Sequence, residues 1–503
     1  MNPGECYACV CVKEFPAQAL LRLRPNLCDR ACVVMEGEPP LQQVCSLTRR
    51  ARALGLACGM TKVEIETFSH ITVLARAAIE EEAAKAVLLE CAGGFSPRIE
   101  ECSEEGIFLC AIDIAGTEKL FGPAEILASN LLARIRALGI MACIAISHNF
   151  HAAVATAKGL TARSPVQIIP EGEENDALAS LPLAVLGLTE EHAETFSLWG
   201  IRSLGMLADL PEKELIARMG QAGKHLRQLA RGERTHLFQP VELKFALREC
   251  MELESPVEVL DALLFVANLM LEQLILRATA HVLALAAVTV TLMLEGGTSH
   301  ARTIKPALPM NDQQVWLKLL HLDLEAHPPH AAIVAVTLEA EPARTSKVQL
   351  GLFSPQFPEP SRFDVTLARI RAIVGEENVG RAVLKDTHAA DGFGMEPFQV
   401  PSMEVAEFSP TTVRPALRRI RPFETIFVVL KAGRPGTFAF REQRYVVERA
   451  YGPWLSSGDW WNQTLWGCEQ WDLVARTQSG AMLCCCLVRD VLQDQWQMVA
   501  LYD

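Results

Sequence analysis

The sequence predicts a multidomain α/β protein with a small β-rich C-terminal region, and three features support this prediction. A chain of 503 residues exceeds the size of one hydrophobic core, so three to five domains are expected. Apolar runs of strand length alternate with amphipathic helical segments through the first two thirds of the chain. Short alternating strands then follow in residues 414–503, where six of the eight tryptophans lie.

The composition is that of an ordinary globular protein, with half of the residues apolar and 21% charged. A net charge of −13 argues against a protein that holds nucleic acid over its whole surface, so DNA contact requires local basic patches or a tether. Sixteen cysteines without a signal-peptide pattern favour a reducing cytoplasm. Charged residues interrupt the apolar stretch Leu260–Leu294, so no membrane contact is expected.

The first 165 residues predict one α/β domain. Tyr7–Gln18 is an apolar strand that stops at Pro16, and Arg49–Met60 is a basic helix followed by glycine turns. The later segments alternate between helix and strand: Ala77–Cys91, Gly106–Thr117, Ile126–Leu138 and Met141–Ser147. This order suits a ferredoxin-like fold.

A helical region follows, and Leu198–Pro211 predicts two helices joined by a tight glycine hairpin. Such a turn exposes backbone N–H groups that bind phosphate without reading bases, although a plain helical bundle is the alternative. A second glycine pattern in residues 219–226 predicts another tight turn between two helices. The predicted DNA-binding residues of the two patterns are Gly200, Ile201, Gly205, Gly220, Gly223 and Lys224.

The next region predicts a second α/β unit of two helices and four strands, including Leu260–Ala278 and Val282–Leu294. Its surface is poorly basic, and only Arg302 and Lys305 stand out as DNA contacts. DNA binding should therefore be weak and salt-sensitive. Ligand-type side chains between His321 and His330 match no known closed site, so neither a metal nor another cofactor is predicted.

Several of these segments resemble the Y-family translesion DNA polymerases, the UmuC and DinB relatives. Tyr7–Gln18 is similar to their first palm strand, Arg49–Met60 to their fingers helix and Gly106–Thr117 to their second palm motif. Active members place metal-binding carboxylates at positions that here are Cys11, Phe108 and Leu109. A thiol and apolar side chains cannot hold Mg²⁺, which requires oxygen ligands. The resemblance also marks Arg52 as the remnant of a nucleotide-binding residue.

The resemblance implies a ferredoxin-like palm with fingers, a helical thumb and an α/β little finger, followed by a β-rich region. The predicted divisions are palm and fingers 1–165, thumb 166–242, little finger 243–345, linker 346–362, α/β connector 363–413 and C-terminal interaction region 414–503.

The linker carries a peptide that resembles the motif with which bacterial polymerases dock on the β sliding clamp. Its residues are Gln349, Leu350, Leu352 and Phe353. In an extended peptide, the apolar side chains would fill a pocket while the Gln349 amide fixes the register. An ordinary edge strand or exposed loop is the alternative interpretation. A chain docked on a ring that encircles DNA would stay at a high local concentration near the DNA, so it would not need high affinity for the DNA itself.

Together these patterns imply a non-catalytic hub for DNA-damage-induced translesion synthesis in the bacterial cytoplasm, nucleoid-associated when on DNA. The tryptophan-rich tail resembles a subgroup of accessory proteins that lost the catalytic carboxylates. The implied partners are the clamp, an error-prone DnaE-type polymerase, a RecA-like accessory protein and, weakly, primer-template DNA. Two alternatives stay open: an active Mg²⁺-dependent polymerase using Glu14 and Asp113, or a clamp-independent DNA-binding repair scaffold.

Overall fold

A computed structural model describes residues 4–243, 245–306, 308–344, 417–458 and 466–502, together with short pieces between 366 and 396. The chain forms two compact units that divide between residues 368 and 369.

Two sheets and their helices occupy residues 7–168. The strands are β1 (Tyr7–Lys13), β2 (Ala31–Glu36), β3 (Gln43–Leu47), β4 (Ile71–Ala75), β5 (Ile99–Glu101), β6 (Ile107–Asp113), β7 (Cys143–Ser147) and β8 (Val166–Ile168). The helices are α1 (Phe15–Leu21), α2 (Arg49–Ala53), α3 (Lys62–Ile65), α4 (Ala78–Gly93), α5 (Glu118–Phe121), α6 (Ala124–Ala137) and α7 (Phe150–Gly159). One sheet has the order β5-β6-β1-β7-β8, and the other has the order β3-β2-β4.

Strand β1 is the central strand of the five-stranded sheet and is buried on both faces. Its alternate residues enter two separate apolar clusters, one containing Val10 and the other Cys11. The predicted extent of this strand, Tyr7–Gln18, was wrong at its C-terminal end. The strand ends at Lys13 because Glu14 adopts a left-handed conformation, with φ of 52°. Pro16 lies in the first turn of α1, where its missing N–H removes no helical hydrogen bond.

Four helices form the region after β8. They are α8 (Glu174–Ala179), α9 (Glu190–Leu198), α10 (Leu204–Ala208) and α11 (Glu212–Ala230). Phe196 and Leu204 lie in the centre of their shared core. The second glycine pattern was predicted to repeat the helix–hairpin–helix of the first. The structure has two helices within α11 that meet at Gly220, whose φ of 63° and ψ of −150° are non-helical, so the predicted break between two helices is present.

A four-stranded sheet covered by two helices follows. Its elements are β9 (Leu247–Val257), α12 (Leu260–Ala280), β10 (Leu283–Leu294), β11 (Ser299–Ile304), α13 (Gln313–Ala326) and β12 (Ile333–Arg344). The strand order is β11-β10-β12-β9. Within the described residues, α12 is the one helix long and apolar enough to cross a membrane. Its buried side, which includes Met270 and Leu274, packs into the core of this sheet.

The described parts of the second unit are mainly strands, with helical residues at positions 369–371. A hairpin joins β13 (Arg381–Leu384) and β14 (Phe393–Glu396). The other strands are β15 (Leu417–Ile426), β16 (Val428–Lys431), β17 (Arg434–Phe440), β18 (Gln443–Gly458), β19 (Trp466–Thr477), β20 (Met482–Asp490) and β21 (Gln495–Tyr502). Their order is β15-β21-β20-β19-β18-β17-β16. Only Phe427 separates the two end strands of this order, so the sheet must curve to bring one edge near the other, and we call it the C-terminal barrel.

The basic residues Arg418, Arg419 and Arg421 lie on strand β15. Trp471 and Trp496 are buried in the barrel, as expected for core packing. Trp454 is 49% exposed, so the tryptophans divide between core and surface. The prediction of a mixed α/β chain with a β-rich C-terminal region is confirmed.

Candidate functional site

The centre of the five-stranded sheet holds the three positions predicted to correspond to the metal-binding carboxylates of active polymerases. Antiparallel pairing of β1 with β6 sets Cys11 directly opposite Leu109 and Val12 opposite Phe108. Cys11 and Leu109 share one apolar cluster, whereas Phe108 lies in the cluster on the other face. The structure therefore brings two of the three predicted positions together. Each of the three residues is no more than 1% exposed.

The sulfur of Cys11 is a neutral thiol at physiological pH. Burial raises the pKa of this thiol to about 12, although the ammonium groups of Lys13 and Lys158 oppose the increase. A protonated thiol is a poor ligand for a divalent cation, because metal binding to cysteine requires the thiolate. No group of three potential metal ligands occurs anywhere in the described part of the chain.

Two lysines at the rim of this site are already occupied by oxygen partners. Lys158 Nζ lies 2.8 Å from both carboxylate oxygens of Glu104. Lys13 Nζ donates to the backbone carbonyl of Leu160 at 2.8 Å. Both ammonium groups near this site are therefore held in place by hydrogen bonds to oxygen acceptors.

Arg52 has a carboxylate partner that the sequence analysis did not assign to it. Glu14 forms an ion pair with the Arg52 guanidinium and also accepts from Ser46 Oγ at 2.9 Å and from Leu47 N–H at 3.1 Å. The left-handed backbone at Glu14 turns its carboxylate toward β3 and α2. The sequence shows Glu14 near the end of the first strand, but it does not show that Arg52 is its partner.

Both carboxylates considered for an active polymerase, Glu14 and Asp113, have partners in the structure. Asp113 pairs with Arg98 at 3.1 Å and accepts from the backbone N–H of Ala115 at 3.1 Å. Glu14 faces the three donors just described and lies outside the strand that carries Cys11.

The first glycine pattern forms the predicted tight turn. Gly200 has φ of 72° and connects α9 to α10, and Ile201 is buried beneath the turn. Gly205 serves close packing, because a Cβ added there would lie 3.0 Å from the Cβ of Ala179. Ser203 caps α10 by accepting from the N–H of Met206.

The second glycine pattern also joins two helices, at Gly220. Lys224 lies 3.5 Å from Glu212, which also pairs with Arg227. Gly223 is packed against Leu215, whose side chain would lie 2.9 Å from an added Cβ. Gly220 and the two residues that follow it are exposed, so this turn faces solvent while Gly223 faces the helical core.

The two basic positions predicted in the four-stranded sheet differ in their surroundings. Arg302 binds both carboxylate oxygens of Asp323, at 2.9 and 3.0 Å. Lys305 is exposed just after β11. The predicted clamp peptide, Gln349, Leu350, Leu352 and Phe353, lies outside the described residues and stays a prediction.

Comparison with known proteins finds similarity in the part of the chain that carries this site. Residues 10–158, which include Cys11 and Leu109, match the impB/mucB/samB family. "DNA polymerase IV" of Dehalococcoides mccartyi is 29% identical over 237 residues, which are 45% of this chain and 58% of that protein. The crystal structure of DinB from Sulfolobus solfataricus is similar with a TM-score of 0.40 and 18% identity, covering 67% of this chain and 98% of that one.

"Protein ImuB" of Caulobacter vibrioides is similar over a longer span. It is 25% identical over 422 residues, which are 79% of this chain and 85% of ImuB. The relationship predicted from the motifs is confirmed: the chain is an ImuB-type homologue of the Y-family DNA polymerases.

Proposed function

We propose that this chain is a non-catalytic, polymerase-like hub for translesion synthesis in the bacterial cytoplasm. The single observation that carries the proposal is the pairing of Cys11 with Leu109 at the centre of a buried strand pair. Two divalent cations need several oxygen ligands, and this face of the sheet offers sulfur and hydrocarbon instead. The alternative of an active polymerase would require Glu14 or Asp113, and both carboxylates already have basic partners.

Primer extension tests the loss of catalysis directly. The purified full chain is incubated with primer-template and deoxynucleotides in Mg²⁺ and separately in Mn²⁺, with an active polymerase IV as the positive control. We expect no incorporation above background from the wild-type chain or from Asp113→Asn. Robust incorporation that Asp113→Asn abolishes would establish the enzyme instead.

We further propose that the chain docks on the β sliding clamp through Gln349, Leu350, Leu352 and Phe353. Support comes from the peptide sequence, in which an amide and two large apolar side chains have the spacing of an extended docking motif. The net charge of −13 makes a tether useful, because such a chain repels DNA over much of its surface.

Pull-down on purified clamp tests the docking proposal. The double variant Gln349→Ala with Leu352→Ala should lose clamp capture, while Gln356→Ala in the same linker should retain it. Capture that persists unchanged in the double variant would favour the clamp-independent repair scaffold.

The hub would recruit an error-prone DnaE-type polymerase and a RecA-like accessory protein through residues 414–503. The partly exposed tryptophans of this region support that role, since aromatic side chains are enriched at protein interfaces. Deletion of Arg414–Asp503 should abolish capture of both partners. Undiminished capture would contradict the assignment of recruitment to this region.

A further inference from the structure

The outer face of strand β18 carries a strip of basic and aromatic side chains. Residues that point into the barrel core are known from its apolar cluster, which includes Tyr445, Val447 and Ala450. Alternation along the strand, with a bulge after Val447, therefore places another set outside. In chain order, this outer set is Arg444, Val446, Arg449, Tyr451 and Trp454.

Each member of this strip is exposed to solvent. Val446 and Tyr451 are both 51% exposed, and Trp454 is 49% exposed. Arg444 and Arg449 are exposed as well, and neither has an acidic partner among the residues that the structure describes. The pairing of Val446 with Arg476 on β19 brings a third arginine to the same face.

The strip lies beside the most basic part of the barrel. Residues 417–449 contain eight lysines and arginines but only three glutamates, in a chain whose net charge is −13. Glu448 is bound to Arg476 at 2.8 Å. Glu424 is paired with Arg441 at 3.0 Å. Asp472 on β19 lies opposite Tyr451 on this face, so the acidic groups here are Glu448 and Asp472. The three arginines outnumber them, and the strip keeps a positive charge that attracts an anionic ligand.

We propose that the strip from Arg444 to Trp454 is a binding surface for single-stranded nucleic acid. Arginines bind the phosphate backbone, and Tyr451 and Trp454 offer ring faces on which bases stack. The strand rises about 3.4 Å per residue, so the aromatic and basic side chains are spread over several nucleotides. An acidic protein partner would use the arginines but would not require two exposed aromatic rings.

This surface is independent of clamp docking and of the loss of polymerase activity. It lies within one described barrel and uses neither the Cys11 site nor the 349–353 peptide. A chain with such a surface would hold the unpaired strand that damage leaves ahead of a stalled primer.

Fluorescence anisotropy of labelled oligothymidine with the full chain tests the proposal. The double variant Tyr451→Ala with Trp454→Ala should weaken binding at least about tenfold, because base stacking on each ring is lost. Tyr451→Phe with Trp454→Phe keeps both rings and should retain most of the affinity. Equal affinity for the alanine variant and the wild-type chain would overturn the proposal.

Salt dependence tests the arginines separately. Arg444→Gln with Arg449→Gln should reduce the slope of log affinity against log salt by about 1.4, since each single-strand phosphate contact contributes about 0.7. Arg434→Gln, at the exposed first residue of β17, is the matched control and should leave the slope unchanged. Polyglutamate that competes with oligothymidine equally well, with no effect of the alanine variant, would instead assign the face to an acidic protein.

Discussion

Arg22 and Glu249 form an ion pair whose side chains are 1% and 0% exposed, although 227 positions separate them in the sequence. Glu249 also accepts from Arg277 at 2.9 Å, and Arg277 pairs with Glu90 on α4. A second bridge nearby joins Arg24 to Glu80 at 2.7 Å. These buried charges connect the segment after α1, helix α4, strand β9 and helix α12 within the first unit.

Substitution of Glu249 should destabilise the first unit strongly. Glu249→Gln removes the carboxylate that both Arg22 and Arg277 contact and leaves two buried cations without it. Loss of one partner from a buried ion pair costs about 3–5 kcal/mol. Urea unfolding followed by circular dichroism measures this loss.

The matched control is an ion pair on the surface. Arg50 and Asp29 are 61% and 90% exposed, so Arg50→Gln should change the free energy of unfolding by less than about 1 kcal/mol. Equal effects of the two substitutions would show that the buried network contributes no more than a surface pair.

A carboxylate introduced at Cys11 should be poorly tolerated. Cys11→Asp places an ionisable group in an apolar cluster, so its folded-state pKa should rise above the unfolded value near 3.9. The variant should therefore lose stability as pH rises above about 4, by several kcal/mol at neutral pH. Thermal unfolding at acidic and neutral pH, with Cys11→Ala as the control, measures the difference. A pH-independent effect would indicate that water reaches this site.

Glu14 should suppress any residual affinity for nucleotides. Its carboxylate holds the Arg52 guanidinium and the Ser46 hydroxyl, which are the donors that an anion would need. Glu14→Gln removes the charge and should raise the affinity for a deoxynucleoside triphosphate about tenfold, because charged hydrogen bonds contribute about 1.5–3 kcal/mol.

Titration with a fluorescent nucleotide analogue measures this change. Glu36→Gln, which disturbs a separate ion pair with Arg76, serves as the control and should have no effect. Unchanged affinity in Glu14→Gln would mean that Arg52 has lost its nucleotide-binding role for another reason.

His151 should make stability fall in mildly acidic solution. Burial lowers the pKa of its imidazole from 6.5 to about 4, and the neighbouring His236 and Arg234 act in the same direction. The unfolded state thus binds a proton between about pH 6.5 and 4 that the folded state does not, so acidification through this range favours unfolding.

The contribution of His151 can be isolated by comparison with His151→Gln. The free-energy difference between the two proteins should vary with pH below about 6.5, by at most about 1.4 kcal/mol per pH unit. A constant difference between pH 7 and pH 4.5 would show that the imidazole titrates alike in both states.

Local sequence patterns predicted many of the helices and strands, and they directed attention to particular residues within two of the strands. Strand Val282–Leu294 was predicted to within one residue of its observed bounds, and the apolar periodicity of Leu260–Ala278 identified α12 to within two residues. Cys11 and Leu109 were predicted to occupy carboxylate positions of a polymerase, and the structure pairs them across β1 and β6. Such predictions succeed because hydrophobic periodicity and motif spacing are properties of neighbouring residues.

The sequence by itself determined the α/β class, the family resemblance and the absence of carboxylates at Cys11, Phe108 and Leu109. Only the tertiary structure decided that Glu14 binds Arg52 and that Arg22 meets Glu249. It also decided that the C-terminal strands form one seven-stranded sheet with a basic and aromatic strip on β18. These relationships join residues that are distant in the chain, and side-chain identity alone does not specify which distant partner folding brings into contact.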